Sequence, residues 1–221
     1  MLRAVLSSIV PVLLATGCMP FASPPLRVGF SGGGSFGEVI WAQDDQARST
    51  DRDSMFAVRA ELMPLDAVPW LLVRDWDLGL GYQAEFLQAA HPARSVKHGP
   101  FLSATWYPVV VDDSEAGPEA EAEELFLWRL GLGLRAGLLL ADGGPAPCMG
   151  GGGAFTVSFE FTSFAAGEFG NSDLFGLAYG EAGVGLFAEA GWRHIHGGSY
   201  STFVAGLQFR LPASVGMMAV W

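Results

Sequence analysis

The strongest constraint on this chain is a two-residue repeat in which one face is apolar and the other is mainly glycine with scattered charges. In "FLWRLGLGLRAGLLL", Phe126 to Leu140, the even positions carry Phe, Trp, Leu or Ala, and the odd positions from 129 to 137 carry only Gly and Arg. In "AYGEAGVGLFAEAGWR", Ala178 to Arg193, Gly, Glu and Arg fill most of the odd positions. A period of two is that of a β-strand, so these segments are predicted to be strands with two unlike faces.

The same rhythm recurs along the chain and predicts an all-β fold. Turn-rich or charged pieces separate the strand-like segments, because Gly, Pro, Asp and Asn suit tight turns. Residues 26–221 are expected to form one domain, an eight-stranded antiparallel up-and-down β-barrel. The eight predicted strands are Leu26–Ala42, Ser54–Met63, Trp70–Leu87, Pro100–Val111, Leu125–Leu140, Ala154–Phe164, Leu174–Arg193 and Tyr200–Leu211.

The glycine-and-charge face is predicted to line the inside of the barrel. A water-soluble barrel needs a well-solvated outer face, and glycine with isolated charges makes a poor one. Eight strands enclose just enough room for side chains to fill, so small residues leave space for a few long charged ones. The apolar face then meets lipid, as in an outer-membrane barrel.

The predicted inward charges are of both signs, and burial of a charge is costly unless it is paired. The bases on this face are all Arg, whose forked guanidinium suits buried pairing, and Lys97 is expected in a loop. Tryptophans near strand ends are expected to form an interfacial girdle, at Trp41, Trp70, Trp106, Trp128 and Trp192. The predicted inward charges are Arg59, Arg129, Arg135, Arg193, Arg210, Glu61, Asp75, Asp77, Glu85, Glu160, Glu181 and Glu189.

Over Leu26 to Leu211 this pattern resembles the small eight-stranded outer-membrane barrels of Gram-negative bacteria, the OmpA and OmpX type. The resemblance lies in the pattern, and no residue-specific motif carries it. The chain departs from that type where it continues past the eighth strand as "PASVGMMAVW", a tail that is either separate or an extension of the strand after Pro212.

The first residues, "MLRAVLSSIVPVLLATGC", predict a secretory signal, because a short apolar run follows the single charge of Arg3. The end of this segment, Leu14 to Cys18, resembles the lipobox of bacterial lipoproteins. That resemblance implies a signal peptide over 1–17, lipid attachment (diacylglyceryl and palmitate) at Cys18, and a lipidated N-terminus and linker over 18–25. Met19 in place of Asp implies sorting to the outer membrane. The alternative is an ordinary signal peptide with a chance cysteine.

Charge and cysteine content exclude some classes of function. The formal net charge is −11, which argues against nucleic acid as a partner, because phosphate backbones are bound by basic patches. With Cys18 used for lipid, Cys148 has no partner for an intramolecular disulfide and is read as a free loop thiol. The acidic run from Asp112 to Glu124 is read as a solvated loop. We expect a monomer whose partner is outer-membrane lipid, and no cofactor.

Two motifs are weighed as possible sites. "GGGSFG", Gly32 to Gly37, has the spacing of a dinucleotide fingerprint, but no helical period follows it, so glycines within a strand are the preferred interpretation. "RHIHGGSYS" brings His194, His196 and Ser199 close in sequence and resembles the His and Ser of lipid A deacylases. The His-x-Ser spacing of that family is absent, no carboxylate follows in strand eight, and no third metal ligand can be named. No catalytic or metal-binding residue is therefore predicted.

The sequence thus predicts a non-enzymatic, lipid-anchored outer-membrane β-barrel with a filled polar lumen and a structural or surface-interaction role. One alternative is a periplasmic lipoprotein with a soluble, lipocalin-like barrel that binds an apolar ligand. The other is a lipid-modifying outer-membrane hydrolase that uses His194 or His196 with Ser199.

Overall fold

The fold consists almost entirely of β-strands. The computed structural model describes residues 18–39, 48–67, 75–87, 96–112, 126–141, 148–170, 174–195 and 198–219. The strands are β1 (Cys18–Ser23), β2 (Leu26–Val39), β3 (Arg48–Leu62), β4 (Trp76–Leu87), β5 (Val96–Asp112), β6 (Phe126–Ala141), β7 (Cys148–Gly170), β8 (Leu174–Ile195), β9 (Gly198–Leu211) and β10 (Ala213–Ala219). These residues contain no helix that is long and apolar enough to cross a membrane.

Strands β2 to β9 form a closed antiparallel barrel. Each pairs with the next along the chain, and β9 closes the ring by pairing with β2. Across this closure Arg27 pairs with Arg210 of β9. When the pairing is traced the other way round the ring, from each residue to its partner on the next strand, the path from Arg27 reaches β9 at Tyr200. This stagger of ten residues over eight strands tilts the strands by roughly 40° from the barrel axis. The predicted fold class, an eight-stranded up-and-down barrel, is confirmed.

The wall continues past the closed ring at the end where β2 begins, here called the lower end. Segment 18–25, expected to be a linker, includes β1, which pairs with β10, and β10 in turn pairs with the start of β8. In the register of the flanking pairs Pro25 lies opposite Pro212, and Pro24 is next to it, so two long strands are interrupted at one level. Proline lacks the N–H that a ladder needs, which explains the interruption.

Gly180 lets β8 change partners at this level. Gly183 pairs with Arg210 of β9 and Tyr179 pairs with Ala213 of β10, so β8 has one more residue than its partner between these two pairs. Gly180 adopts a φ of 124°, a backbone conformation that residues other than glycine rarely adopt. The tail after Pro212 therefore extends the last strand, one of the two arrangements that the sequence left open.

The two faces of the wall are distributed as the alternation predicts. In β4 the burial alternates strictly from Trp76 to Leu80, with the apolar residues outward. Leu134 on β6 is 66% exposed and Leu186 on β8 is 60% exposed, whereas Arg129 and Glu85 are each 1% exposed. The described barrel is therefore apolar outside and charged inside.

Candidate functional site: the charged lumen and the outer rim

Arg210 is the centre of an ion-pair cluster in the lower half of the lumen. Its guanidinium nitrogens lie 3.1 Å from Asp66, 2.6 Å from Asp77, 3.1 Å from Glu160 and 2.9 Å from Glu181. All five side chains are at most 3% exposed. Four buried carboxylates carry more negative charge than one cation can compensate, so further cations are needed nearby.

Arg27 and Arg129 supply that charge. Arg27 lies 2.9 Å from Glu61 and 3.7 Å from Glu160. Arg129 makes a two-pronged contact with Glu181 and lies 3.8 Å from Glu160.

Tyr107 ties the centre of this cluster together through its hydroxyl. The hydroxyl accepts a hydrogen bond from Arg210 at 2.7 Å and donates one to Asp77 at 2.8 Å. These residues form a continuous network of ion pairs and hydrogen bonds, in which each member constrains the others. We call the network the lower cluster, and it consists of Arg27, Arg129, Arg210, Tyr107, Glu61, Asp66, Asp77, Glu160 and Glu181.

The lower cluster takes residues from the strands and also from one connection between strands. Asp66 belongs to a short 3₁₀ turn, Pro64–Ala67, that follows β3. The amide of Met63 donates to the carbonyl of Pro25 at 3.0 Å, which holds the start of this turn against the wall. The turn brings Asp66, 1% exposed, into contact with Arg210 and so covers part of the lower lumen.

Two smaller groups occupy the lumen above. Glu189 accepts from Arg59 at 3.0 Å and also contacts Arg135. Nearer the other end, Glu85 lies 2.7 Å from Arg193, and the ammonium of Lys97 lies 3.9 Å from the centre of the Tyr200 ring. Arg193 is 3.5 Å from Glu189, which links these two groups.

Among the lumen charges that are at most about 10% exposed, the two signs are equal in number. The seven basic residues are Arg27, Arg59, Lys97, Arg129, Arg135, Arg193 and Arg210, and the seven acidic residues are Glu61, Asp66, Asp77, Glu85, Glu160, Glu181 and Glu189. Because these fourteen charges cancel, the formal charge of −11 belongs to the other residues of the chain. A neutral, paired interior is the arrangement in which charge burial costs least.

Two small cavities lie between these side chains. One cavity of about 20 Å³ is lined by Arg59, Ser103 and Arg135 among others, and one of about 10 Å³ lies near Met55 and Glu85. Each holds one water molecule or so.

Four charge positions need correction or addition, and one of them, Asp66, was missed because it lies in the turn after β3. Asp75, predicted inward, is exposed, because it lies in a bend just before β4 begins. Lys97, predicted in a loop, is buried in β5, since that strand begins before Pro100, at Val96. The prediction also missed Arg27, although it shares the parity of Gly29 and Ser31 on the inner face of β2. The other eleven predicted inward charges face the lumen.

Aromatic residues lie on the outer face near strand ends. Trp76 and Trp106 stack with ring centres 6.1 Å apart, and Trp128 packs 4.6 Å from Phe161. Trp192, 56% exposed, lies toward the opposite end. These positions fit an interfacial girdle, and the predicted members Trp41 and Trp70 lie outside the described residues.

His194 and Ser199 meet on the outer rim. The Nδ1 atom of His194 is 2.9 Å from the Ser199 hydroxyl, and the imidazole stacks on Trp192. Within the described side chains no carboxylate is seen to contact this histidine in the way that an orienting acid would. His196 and the side chain of Cys148 lie outside the described residues.

The other motifs resolve simply where they are described. Gly32 to Gly37 lies within β2 and is paired on both sides, with β3 and β9, as the strand interpretation predicts. No group of three His, Cys, Asp or Glu residues in the described ranges is placed to hold a metal ion. Residues 1–17 lie outside the description, and of Cys18 only the backbone is described, paired with Ala219.

Comparisons with known proteins found similar barrels at low identity. A crystal structure of Neisserial surface protein A (NspA) is 10% identical, with a TM-score of 0.34, over 86% of this chain and 98% of that one. The crystal structure of Ail, the attachment invasion locus protein of Yersinia pestis, is 11% identical, with a TM-score of 0.28, over 86% of this chain and 100% of that one. No protein-family model matches the sequence, and neither does any curated protein.

Proposed function

We propose that the protein is a lipid-anchored outer-membrane β-barrel with a closed, charge-filled lumen and a structural or surface-interaction role, without enzymatic activity. The observation that carries the proposal is the inside-out distribution of side chains in a closed barrel. Charged residues face the lumen, and Leu, Val, Phe and Trp cover the outside. A bilayer favours such a barrel, because strands β2 to β9 pair their backbones round a closed ring and the outer face is apolar.

The lipid anchor is proposed from the segment Leu14 to Cys18 and its likeness to a lipobox. The Cys18 sulfur carries a diacylglyceryl group as a thioether in this proposal. Cys18 begins β1 at the lower end of the barrel, so the anchor belongs to the periplasmic leaflet. The connections β2–β3, β4–β5, β6–β7 and β8–β9 then face the outside, and the acidic connection β5–β6 is periplasmic.

The test is a pair of arginine substitutions at two depths on the outer face. Leu134, 66% exposed, lies midway along β6, and Met149, 63% exposed, is the second residue of β7 near the upper end. In a bilayer, Leu134→Arg is expected to lower the free energy of unfolding by about 2–4 kcal/mol and Met149→Arg by at most about 1 kcal/mol. Equilibrium unfolding of the chain refolded into lipid vesicles measures both.

The contrast between the two variants decides between a membrane barrel and a soluble one. Equal, small effects, together with a monomeric chain that stays folded in plain buffer, would favour the soluble lipoprotein instead. Intact mass of the mature protein tests the anchor separately, since an unmodified Cys18 removes only that part of the proposal.

A further inference from the structure

The lower end of the barrel carries an apolar outer patch that the closed ring does not include. We call the patch the lower row, and it consists of Ala22 on β1, Val215 on β10 and Leu177 on β8. The three residues are direct cross-strand partners, Ala22 with Val215 and Val215 with Leu177. All three are exposed, Val215 at 63% and Leu177 at 59%. The lower row therefore offers a continuous apolar strip, with no charge in it, below the ring.

The lower row lies next to the point where the lipid would be attached. Ala22 is four residues along β1 from Cys18, about 13 Å at the rise of a β-strand. An acyl chain in one leaflet spans roughly 15 Å, half of a hydrocarbon core. A chain that starts at Cys18 and runs toward the ring therefore passes over the lower row.

The attachment point is also fixed. Cys18 is paired with Ala219 and Met19 with Met218, so no flexible tether separates Cys18 from the wall. Lipid on this residue is held beside β1 and β10 and has little freedom to reach other surfaces.

From these observations we propose that the acyl chains carried by Cys18 lie on the outer face of β1, β10 and the start of β8, over the lower row. This inference rests on the proposed lipid attachment and adds the surface that the lipid covers. The barrel thereby lengthens its own apolar outer face downward with its own lipid.

The experiment measures accessibility at Val215 with and without the lipid. Val215→Cys is made in a Cys148→Ala background, and labelling by a membrane-impermeant maleimide is followed in opened outer-membrane fragments. The lipidated chain is compared with a Cys18→Ser chain secreted by an ordinary cleavable leader. Heat-dependent gel mobility confirms that each variant folds, and Leu177→Cys replaces Val215→Cys if that variant does not.

Val111→Cys is the matched control. Val111 is 53% exposed near the lower end of β5, four strand spacings, or about 19 Å, round the wall from β10. We expect it to react equally in the lipidated and unlipidated chains, since the lipid of Cys18 does not reach it.

For Val215→Cys we expect labelling to be at least about tenfold slower in the lipidated chain, because a surface covered nine-tenths of the time is protected by that factor. Protection in both chains would mean that bulk lipid covers the row, and reactivity in both would mean that nothing does; either result overturns the inference and leaves the anchor intact. A Cys18 that intact mass shows to be unmodified overturns the anchor and the inference together.

Discussion

Replacing Arg210 with Met tests whether the lumen behaves as a dry, ion-paired interior. Arg210 contacts four carboxylates at 2.6–3.1 Å, and it donates to Tyr107 as well. The lower cluster contains Arg27, Arg129 and Arg210 against five acidic residues, so the change leaves two cations for five anions. Removing one partner of a buried ion pair costs about 3–5 kcal/mol, and we expect a loss of unfolding free energy in that range.

Arg135→Met is the control for this prediction. Arg135 contacts Glu189, but Glu189 keeps Arg59 at 3.0 Å and Arg193 at 3.5 Å, so no carboxylate is left without a cation. We expect a loss on the order of 1 kcal/mol, the size of one replaceable hydrogen bond. Denaturant titration of the chain in lipid vesicles, followed by tryptophan fluorescence, gives both values.

A double variant separates charge from packing. Arg210→Met with Asp77→Asn removes one charge of each sign and is expected to be more stable than Arg210→Met alone, with a coupling energy of about 1–3 kcal/mol. If Arg210→Met costs no more than Arg135→Met, the reasoning is wrong, and water rather than protein solvates the lower cluster.

The remaining predictions concern closure, conduction and chemistry. In Gly206→Ala the new Cβ meets the backbone carbonyl of Phe30 at the β2–β9 closure, whereas in Gly32→Ala the nearest atom is 3.9 Å from the new Cβ. Gly206→Ala should therefore lower the refolding yield seen on gels, and Gly32→Ala should not. The proposed lumen is filled with paired charges, so planar bilayers should show no single-channel steps, and steady steps would contradict a filled lumen. A fluorophosphonate probe should leave Ser199 unlabelled, since His194 lacks an orienting acid in the described contacts; selective labelling that His194→Ala abolishes would revive the hydrolase.

The sequence was informative about the eight strands of the ring and about their faces. Strand β6 begins and ends within one residue of its prediction, and eleven of the twelve predicted inward charges face the lumen, although Arg27 on β2 was missed. The first and last strands of the sheet were not predicted as such, because prolines at 24, 25 and 212 read locally as ends although pairing resumes beyond them. Lys97 was misplaced for a similar reason, since Pro100 reads as the start of a strand that begins four residues earlier.

Asp66 shows the limit of reasoning from alternation. It belongs to a turn with no period, and nothing in its neighbourhood distinguishes it from an exposed loop acid. Its burial follows from contact with Arg210, which is 144 residues away in the chain. Only the closed ring brings the two together.

The sequence by itself determined that this chain forms alternating strands, which face of each strand is apolar, and that the other face combines glycine with charges of both signs. These properties are local, because a strand's two faces depend on neighbours two residues apart. The tertiary structure decided which charges meet, how the ring closes and where β1 and β10 extend it. Arg210 and Asp77 are 133 residues apart, and the ten-residue stagger of the barrel sets their contact. Such contacts depend on register summed over every strand, and no single segment of the sequence contains that information.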